Sequence, residues 1–362
     1  MWFWTCTRTK NLLAPEKWPM IFAMFEIDKG HCTKQSRPSQ EGINSTSQAR
    51  FMERFQQPIS DSVFLGSTLI GEKSELLKTK TGIAWTDATF NPVWGCTKVS
   101  EGCKNCYAAD VARAAGYGGP GYARHGKPFL WGQTGETTEG QGWKVIQGRR
   151  VFGDNYWNQL IKWNARAEEI GMIAAVFVAS MADMFEDHPT TRRELEKFWV
   201  YAKQCKHLHF QMLTKRPENI AEKLPKDWWD YTNGYENVWL GTTVENQAVA
   251  YRFDDILAEI PTVCRWLSYE PAIGPLKLKR MDQLDWLIVG GESGSNRRPF
   301  DHQWARDIHN DCNAHGVSFF YKQDSAYRSS SNPYLDGKVY DEFPLPLGSS
   351  LIKKSRKAPK VA

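Results

Sequence analysis

The chain has 362 residues, 46 Lys and Arg against 41 Asp and Glu for a net charge of +5, and 41% apolar content with 16 Trp. That composition excludes a disordered or low-complexity protein and supplies the apolar surface for a large core in one or two domains. The excess charge sits at the ends: residues 1–80 carry 11 cations and 8 carboxylates, residues 349–362 carry 5 and none, and residues 81–348 are left with 30 and 33, which excludes a uniformly basic nucleic-acid binder but not a local basic groove.

Residues 1–80 read as a separate extension, either flexible or preceding the native start. Thr33–Arg50 is dense in Ser, Thr, Gln, Pro and charge and follows no helical or strand period. The longest nearly apolar run, Trp18–Phe25, is far shorter than the roughly 20 residues of a membrane span, and no signal-peptide pattern opens the chain. The expectation is a cytoplasmic protein without a membrane partner. Eight cysteines are too few for a disulfide scaffold, but three of them fall within eleven residues.

From Thr81 short β-prone runs alternate with helical patterns. The expected strands are Gly82–Trp85, Ala175–Ala179, His209–Leu213, Val238–Thr242, Thr262–Leu267, Trp286–Val289 and Val317–Tyr321. Thr191 with Glu194 forms a capping box ahead of Leu195, Phe198, Trp199 and Ala202 at helical spacing. Val249, Phe253, Ile256, Leu257 and Ile260 make a second stripe. Asp301 caps a third helix that turns Trp304, Ile308 and Cys312 inward and ends at Gly316. Such βα alternation predicts a parallel α/β fold over 81–330, a TIM-like barrel of six or seven units, complete or incomplete, with a doubly wound sheet as the alternative. Residues 331–362 form a basic tail.

Gly116–Gly148 is an insertion with ten glycines and no phosphate-loop spacing. It reads as a surface loop, with a lid over the site as a second reading.

The sharpest feature is Cys96, Cys103 and Cys106, a C-x6-C-x2-C loop just after the first expected strand, with Gly95 and Gly102 permitting tight turns. Three thiolates on a loop suit a [4Fe–4S] cluster with one iron left open. The alternatives are a zinc site completed by a distant residue such as His125 or a fourth cysteine, and three unligated thiols.

In a parallel α/β fold, function collects at the C-terminal ends of the strands. Those ends are polar throughout. The second strand runs into Ser180 and Asp183, the third into Thr214, Lys215 and Arg216, and the fourth into Glu245. The fifth runs into Glu270, the sixth into Gly290, Gly291 and Glu292 with Arg297 and Arg298 behind, and the seventh into Lys322 and Gln323. One such residue is ordinarily a cap or a loop acceptor. Six consecutive polar ends beside a three-cysteine loop point to a site.

The stretches Ile83–Cys96, Ser100–Ala108, Ser180–Phe185, Leu213–Pro217, Trp239–Asn246, Leu267–Pro271, Trp286–Gly294 and Phe320–Gln323 resemble the phage and prophage protein family labelled by phage gene products thirty-seven and sixty-eight. That family is similar in outline to radical S-adenosylmethionine enzymes, spore photoproduct lyase above all. The usual spacing there is C-x3-C-x2-C, so the first interval is longer in this chain. Where members continue Lys-Gln with Trp-Gly, this chain has Asp324 and Ser325.

The resemblance implies a [4Fe–4S] cluster on Cys96, Cys103 and Cys106, with S-adenosylmethionine on the open iron. It implies that Ser180 and Asp183 meet the amino group of that cofactor. Thr214, Lys215, Glu245 and Glu270 would line the methionyl, ribose or substrate pocket, and Gly290, Gly291 and Glu292 would border the adenine. The implied chemistry is reductive cleavage of S-adenosylmethionine, with an electron donor of flavodoxin or ferredoxin type. The implied substrate is DNA or a modified nucleobase, with Tyr107, Trp131 and Trp143 stacking on bases and Arg216 and Arg297 near phosphates. Two readings from other classes stand beside it: a zinc-stabilised, non-catalytic nucleic-acid-binding module, and a zinc hydrolase, for which His207 and His209 supply only an H-x-H pair.

Overall fold

The computed structural model describes residue 77 and residues 81–114, 138–140, 143–146, 148–329 and 332–344. All belong to one compact unit, Val63–Ala362. Apart from Leu77, the expected extension lies outside the described residues, as do most of the glycine-rich insertion, including His125 and Trp131, and every cation of the basic tail but Lys338.

In chain order the elements are β1 (Ala88–Phe90), β2 (Val93–Trp94), α1 (Tyr107–Ala114), β3 (Thr138–Gly140), β4 (Trp143–Ile146), β5 (Arg149–Phe152), α2 (Asp154–Glu169) and β6 (Ala174–Val178). They continue with α3 (Pro189–Gln204), β7 (Leu208–Thr214), α4 (Ile220–Lys223), β8 (Val238–Thr243), β9 (Arg265–Tyr269), β10 (Trp286–Gly290), α5 (His302–His315) and β11 (Ser318–Gln323). Seven strands form one parallel sheet in the order β1-β6-β7-β8-β9-β10-β11. The order follows the chain without reversal, so the sheet is a half-barrel and not a doubly wound sheet. Its outer edge at β11 is covered by the returning chain, where Tyr321 N donates to Tyr340 O at 2.8 Å and Glu342 N to Phe319 O at 3.1 Å.

Period-two alternation divides the strand residues between two cores. Val176, Phe210, Leu240, Leu267, Leu287 and Phe319 face the helices. Phe177, Trp239, Trp266, Trp286, Ile288 and Phe320 face the other way and fill the hollow of the half-barrel together with Trp85. In this plug the ring centroids of Trp85 and Trp266 are 5.4 Å apart, and those of Trp266 and Trp286 are 5.7 Å apart. Burying four Trp in the hollow closes it below. The polar strand ends lie above.

Several expectations are corrected. Gly82–Trp85 is not a strand, because Trp85 turns into the plug. The first strand starts at Ala88, and side chains dock the segment ahead of it: Ala175 N donates to Asp87 Oδ2 at 2.8 Å, and Phe177 N to Thr86 Oγ1 at 3.1 Å. The cap of α3 is His188, whose ring accepts from Thr190 N, with Pro189 at the first helical position; Thr191 instead donates to Glu186. The stripe from Val249 to Ile260 is broken over three short pieces, 247–249, 252–256 and 257–259, with Ile260 extended just after the last, and does not lie on one helix. Asp301 and Gly316 end α5 as expected, with Asp301 accepting from Gln303 N and Gly316 left-handed at φ 71°. The described part of the insertion is not loop: β3 and β4 pair antiparallel and join β5 and β2 in a four-stranded sheet.

Candidate active site

The cysteine loop lies against the C-terminal ends of the barrel strands. Gly95 N donates to Met181 O at 2.9 Å, which sets the start of the loop beside the exit of β6. Gly95 takes φ 103°, a region that favours glycine, and delivers the chain to Cys96. Cys96, Cys103 and Cys106 are all free and half-buried, and Cys103 Sγ stands 3.9 Å from Ser100 Oγ. Burial pushes the Cys96 thiol up, with the negative charge of Asp183 and Cys106 adding to it.

Four carboxylates bind this loop in place. At the exit of β6, Asp183 accepts from Thr214 Oγ1 at 2.7 Å, from Lys215 N at 3.1 Å and from Arg216 Nη1 at 2.8 Å. The other arm of Arg216, Nη2, donates to Thr97 O at 2.6 Å, so the pair reaches the residue beside Cys96.

Glu186 receives a two-pronged ion pair from Arg149 of β5, with Nε at 2.6 Å and Nη2 at 2.8 Å. Arg149 Nη2 also donates to Thr97 Oγ1 at 3.0 Å, and Thr97 N donates to Glu186. Burial alone would raise the Glu186 carboxyl; the Arg149 fork outweighs it and holds the group below the usual range.

Glu245, at the exit of β8, accepts from Ser100 Oγ at 2.6 Å and from Arg252 Nη1 at 2.9 Å, with Lys215 Nζ at 3.7 Å. Glu292, after β10, accepts from Asn105 Nδ2 at 3.0 Å and from Arg298 Nη2 at 2.6 Å, while Arg298 also reaches Glu101 O at 3.0 Å. Here too burial opposes ionisation, and Arg298 and Asn105 outweigh it, so the carboxyl lies low.

The expected site residues thus divide. Asp183, Glu245 and Glu292 meet at the mouth, but as anchors of the cysteine loop. Thr214 and Arg216 serve Asp183, and Arg216 is buried in its ion pair, not presented to solvent. Ser180 Oγ donates to Asn91 Oδ1, and the Ser180 carbonyl accepts from Tyr107 Oη at 2.9 Å. Glu270 pairs with Lys322 Nζ at 2.8 Å. A β-carbon on Gly290 would stand 2.9 Å from Glu270 Oε1, so that glycine makes room for the pair. Gly291 lies under Ser325, whose backbone N would be 2.3 Å from a β-carbon there. Arg297 is exposed and bonds only to Gly294 O among the described residues.

Sequence reasoning missed Arg149, Glu186, Arg252, Ser100 and Asn105 as parts of the site. Nothing local marks Arg149, Glu186, Ser100 and Asn105, whose partners lie 37 to 187 residues away, whereas Arg252 lies only seven residues from Glu245. Among the described residues, no three His, Cys, Asp or Glu side chains are gathered as ligands of a single metal ion.

A family described as "Protein of unknown function (DUF5131)" matches residues 80–344, and the chain belongs to it. No curated protein and no solved structure matches the chain.

Proposed function

We propose that this DUF5131 protein is an iron–sulfur, radical S-adenosylmethionine enzyme acting on a nucleic-acid base, in line with its resemblance to the phage gene-product family and to spore photoproduct lyase. The observation that supports this reading is three free, half-buried thiols, Cys96, Cys103 and Cys106, on one loop fastened to the mouth of a parallel half-barrel. Three thiols without a histidine fit an iron–sulfur cluster, which takes thiolate ligands. Cys96, Cys103 and Cys106 would hold the cluster, which would supply the single electron for reductive cleavage of S-adenosylmethionine and so open hydrogen-atom abstraction from a substrate.

The chain's own residues hold and enclose. Asp183, Glu186, Glu245 and Glu292 fix the loop through Thr97, Ser100 and Asn105, so its geometry is set before any ligand arrives. Lys322 and Glu270 present a cation and a carboxylate at the mouth, where carboxylate, ammonium or ribose groups of a ligand are recognised. The tryptophan plug excludes water from below. Among the described residues no helix is long and apolar enough to cross a membrane. The electron would come from a flavodoxin- or ferredoxin-type donor, and the setting would be cytoplasmic.

The test is metal and sulfide analysis with electron paramagnetic resonance on protein purified without oxygen, then incubation with S-adenosylmethionine and dithionite. The proposal expects iron and sulfide at cluster stoichiometry and formation of 5′-deoxyadenosine, both lost in Cys103→Ala. Zinc without iron would overturn it and favour a non-catalytic nucleic-acid-binding module.

A further inference from the structure

Three surface segments are joined by hydrogen bonds: residues 98–107 of the cysteine loop and the start of α1, residues 294–298, and residues 326–328. Within the first, Lys98 Nζ donates to Lys104 O at 3.0 Å. Asn105 Nδ2 joins it to the second through Asn296 O at 2.7 Å, and Arg298 Nη2 adds a second tie to Glu101 O at 3.0 Å. Gly294 N joins the second to the third through Ala326 O at 3.1 Å.

Lys98, Lys104, Arg297 and Arg328 are all exposed along this ridge. Among the described residues they have no ion-pair partner: Lys98 and Arg297 bond only to carbonyl oxygens. Of the carboxylates on or beside the same segments, Glu292 and Asp324 are engaged, and exposed Glu101 leans towards Arg298. Glu292 is enclosed by Arg298, Glu101 lies 3.7 Å from Arg298 Nη1, and Asp324 accepts from His302, Tyr321 and Asn332. Four free cations therefore stand together on a body whose residues 81–348 sum to −3. Tyr107 and Tyr327, 45% and 69% exposed, lie on the same segments. A large aromatic ring left in water beside unpaired cations matches the surface that holds unstacked bases and their phosphates.

We infer that this ridge binds a single strand of nucleic acid, with phosphates on Lys98, Lys104, Arg297 and Arg328 and bases on the faces of Tyr107 and Tyr327. The inference deepens the proposal above and rests on it for the reason a strand is brought to the cysteine loop. Stacking needs bases free of a duplex, so the ridge prefers single strands. Neither the cations nor the tyrosines read the sugar.

The test is fluorescence anisotropy on the full chain with a labelled, mixed-sequence DNA strand of about 20 nucleotides. The arms are the same DNA as a duplex, the same sequence as RNA, and polyglutamate as a competitor. The single strand is expected to bind at least about tenfold tighter than the duplex, with RNA within about threefold of DNA. Four phosphate contacts at about 0.7 each predict a slope of log affinity on log salt near −3. Lys98→Glu with Arg328→Glu should lower affinity by about tenfold or more and flatten that slope, while Tyr327→Ala should weaken binding by about fivefold or more with the slope unchanged. These side chains are exposed, and thermal unfolding checks that each variant is folded. Equal binding of duplex, a tenfold preference between the sugars, competition by polyglutamate as strong as by the strand, or indifference to the charge reversals would each overturn the ridge. Iron and sulfide are measured on the same preparations. Iron without strand binding fails the ridge alone, and strand binding without iron fails the cluster proposal alone.

Discussion

Gly102 and Glu245 are fitted to each other: a β-carbon on Gly102 would stand 2.3 Å from Glu245 Oε1 and 2.4 Å from its Cγ. The carboxylate has little room to retreat, because Ser100 Oγ holds one oxygen at 2.6 Å and Arg252 Nη1 the other at 2.9 Å. The glycine between Ser100 and Cys103 is therefore a packing requirement of the barrel rim and not a general aid to turning.

Gly102→Ala should accordingly lift the cysteine loop from the rim. Overpacking of this kind costs about 1–3 kcal/mol. The expected result is a lower midpoint in urea together with faster modification of Cys103 and Cys106 by a thiol reagent. Unchanged thiol kinetics would show that the loop is held elsewhere.

Arg149 and Glu186 are a second fastening, with side chains only 2% and 3% exposed. Removing one member of a buried pair leaves the other charged and unpartnered, at a cost of about 3–5 kcal/mol. Arg149→Met should show a loss of that order in urea unfolding. The double change with Glu186→Gln should recover much of it, since the stranded charge is gone. Equal losses in the single and double variants would place the effect in β5 itself.

The half-barrel is legible in the sequence because β6, β7, β8, β10 and β11 are apolar runs buried on both faces and separated by helical spacing. The first strand is not, because Ile83, Ala84 and Trp85 read as a strand by composition while Trp85 is needed as a plug. The second sheet is hidden by its glycines: Gly140 lies in β3, and only pairing with β4 makes a strand of it. The cysteine loop is legible as a local spacing. Its fastening is not, since Ser100 and Glu245 are 145 residues apart and Asn105 and Glu292 are 187 apart. No periodicity reports pairs at such separations.

His309 gives the fold a dependence on pH. Its ring lies 4.7 Å from Phe319 and 4.5 Å from Tyr340, and burial holds its pKa below the ordinary value of about 6.5. Glu342 pulls the pKa up and Lys338 pushes it down, both less than burial does. The folded state binds this proton less readily than the unfolded chain, so the contribution is complete above about pH 6.5 and is lost as the pH falls from there through the lower folded value. Urea midpoints measured from pH 7.5 to 5 should fall with acid, and His309→Gln should flatten the fall. An equal slope in the variant would assign the dependence to other groups.

Gly241 tests the plug. It is paired in register with Trp266 on β9, and a β-carbon there would stand 2.4 Å from the Trp266 indole. Trp266 cannot swing aside, because Trp85 at 5.4 Å and Trp286 at 5.7 Å pack its ring on other sides. Gly241→Ala should then cost about 1–3 kcal/mol through displaced indoles, and Gly241→Val more. The displacement should appear as a change in near-ultraviolet circular dichroism, with the far-ultraviolet spectrum retained. Pairing Gly241→Ala with Trp266→Phe removes ring atoms where the new methyl needs space, so the double variant should be more stable than the sum of the two single changes. Strict additivity would show that the strand shifts as a unit and that the tryptophans do not set its position.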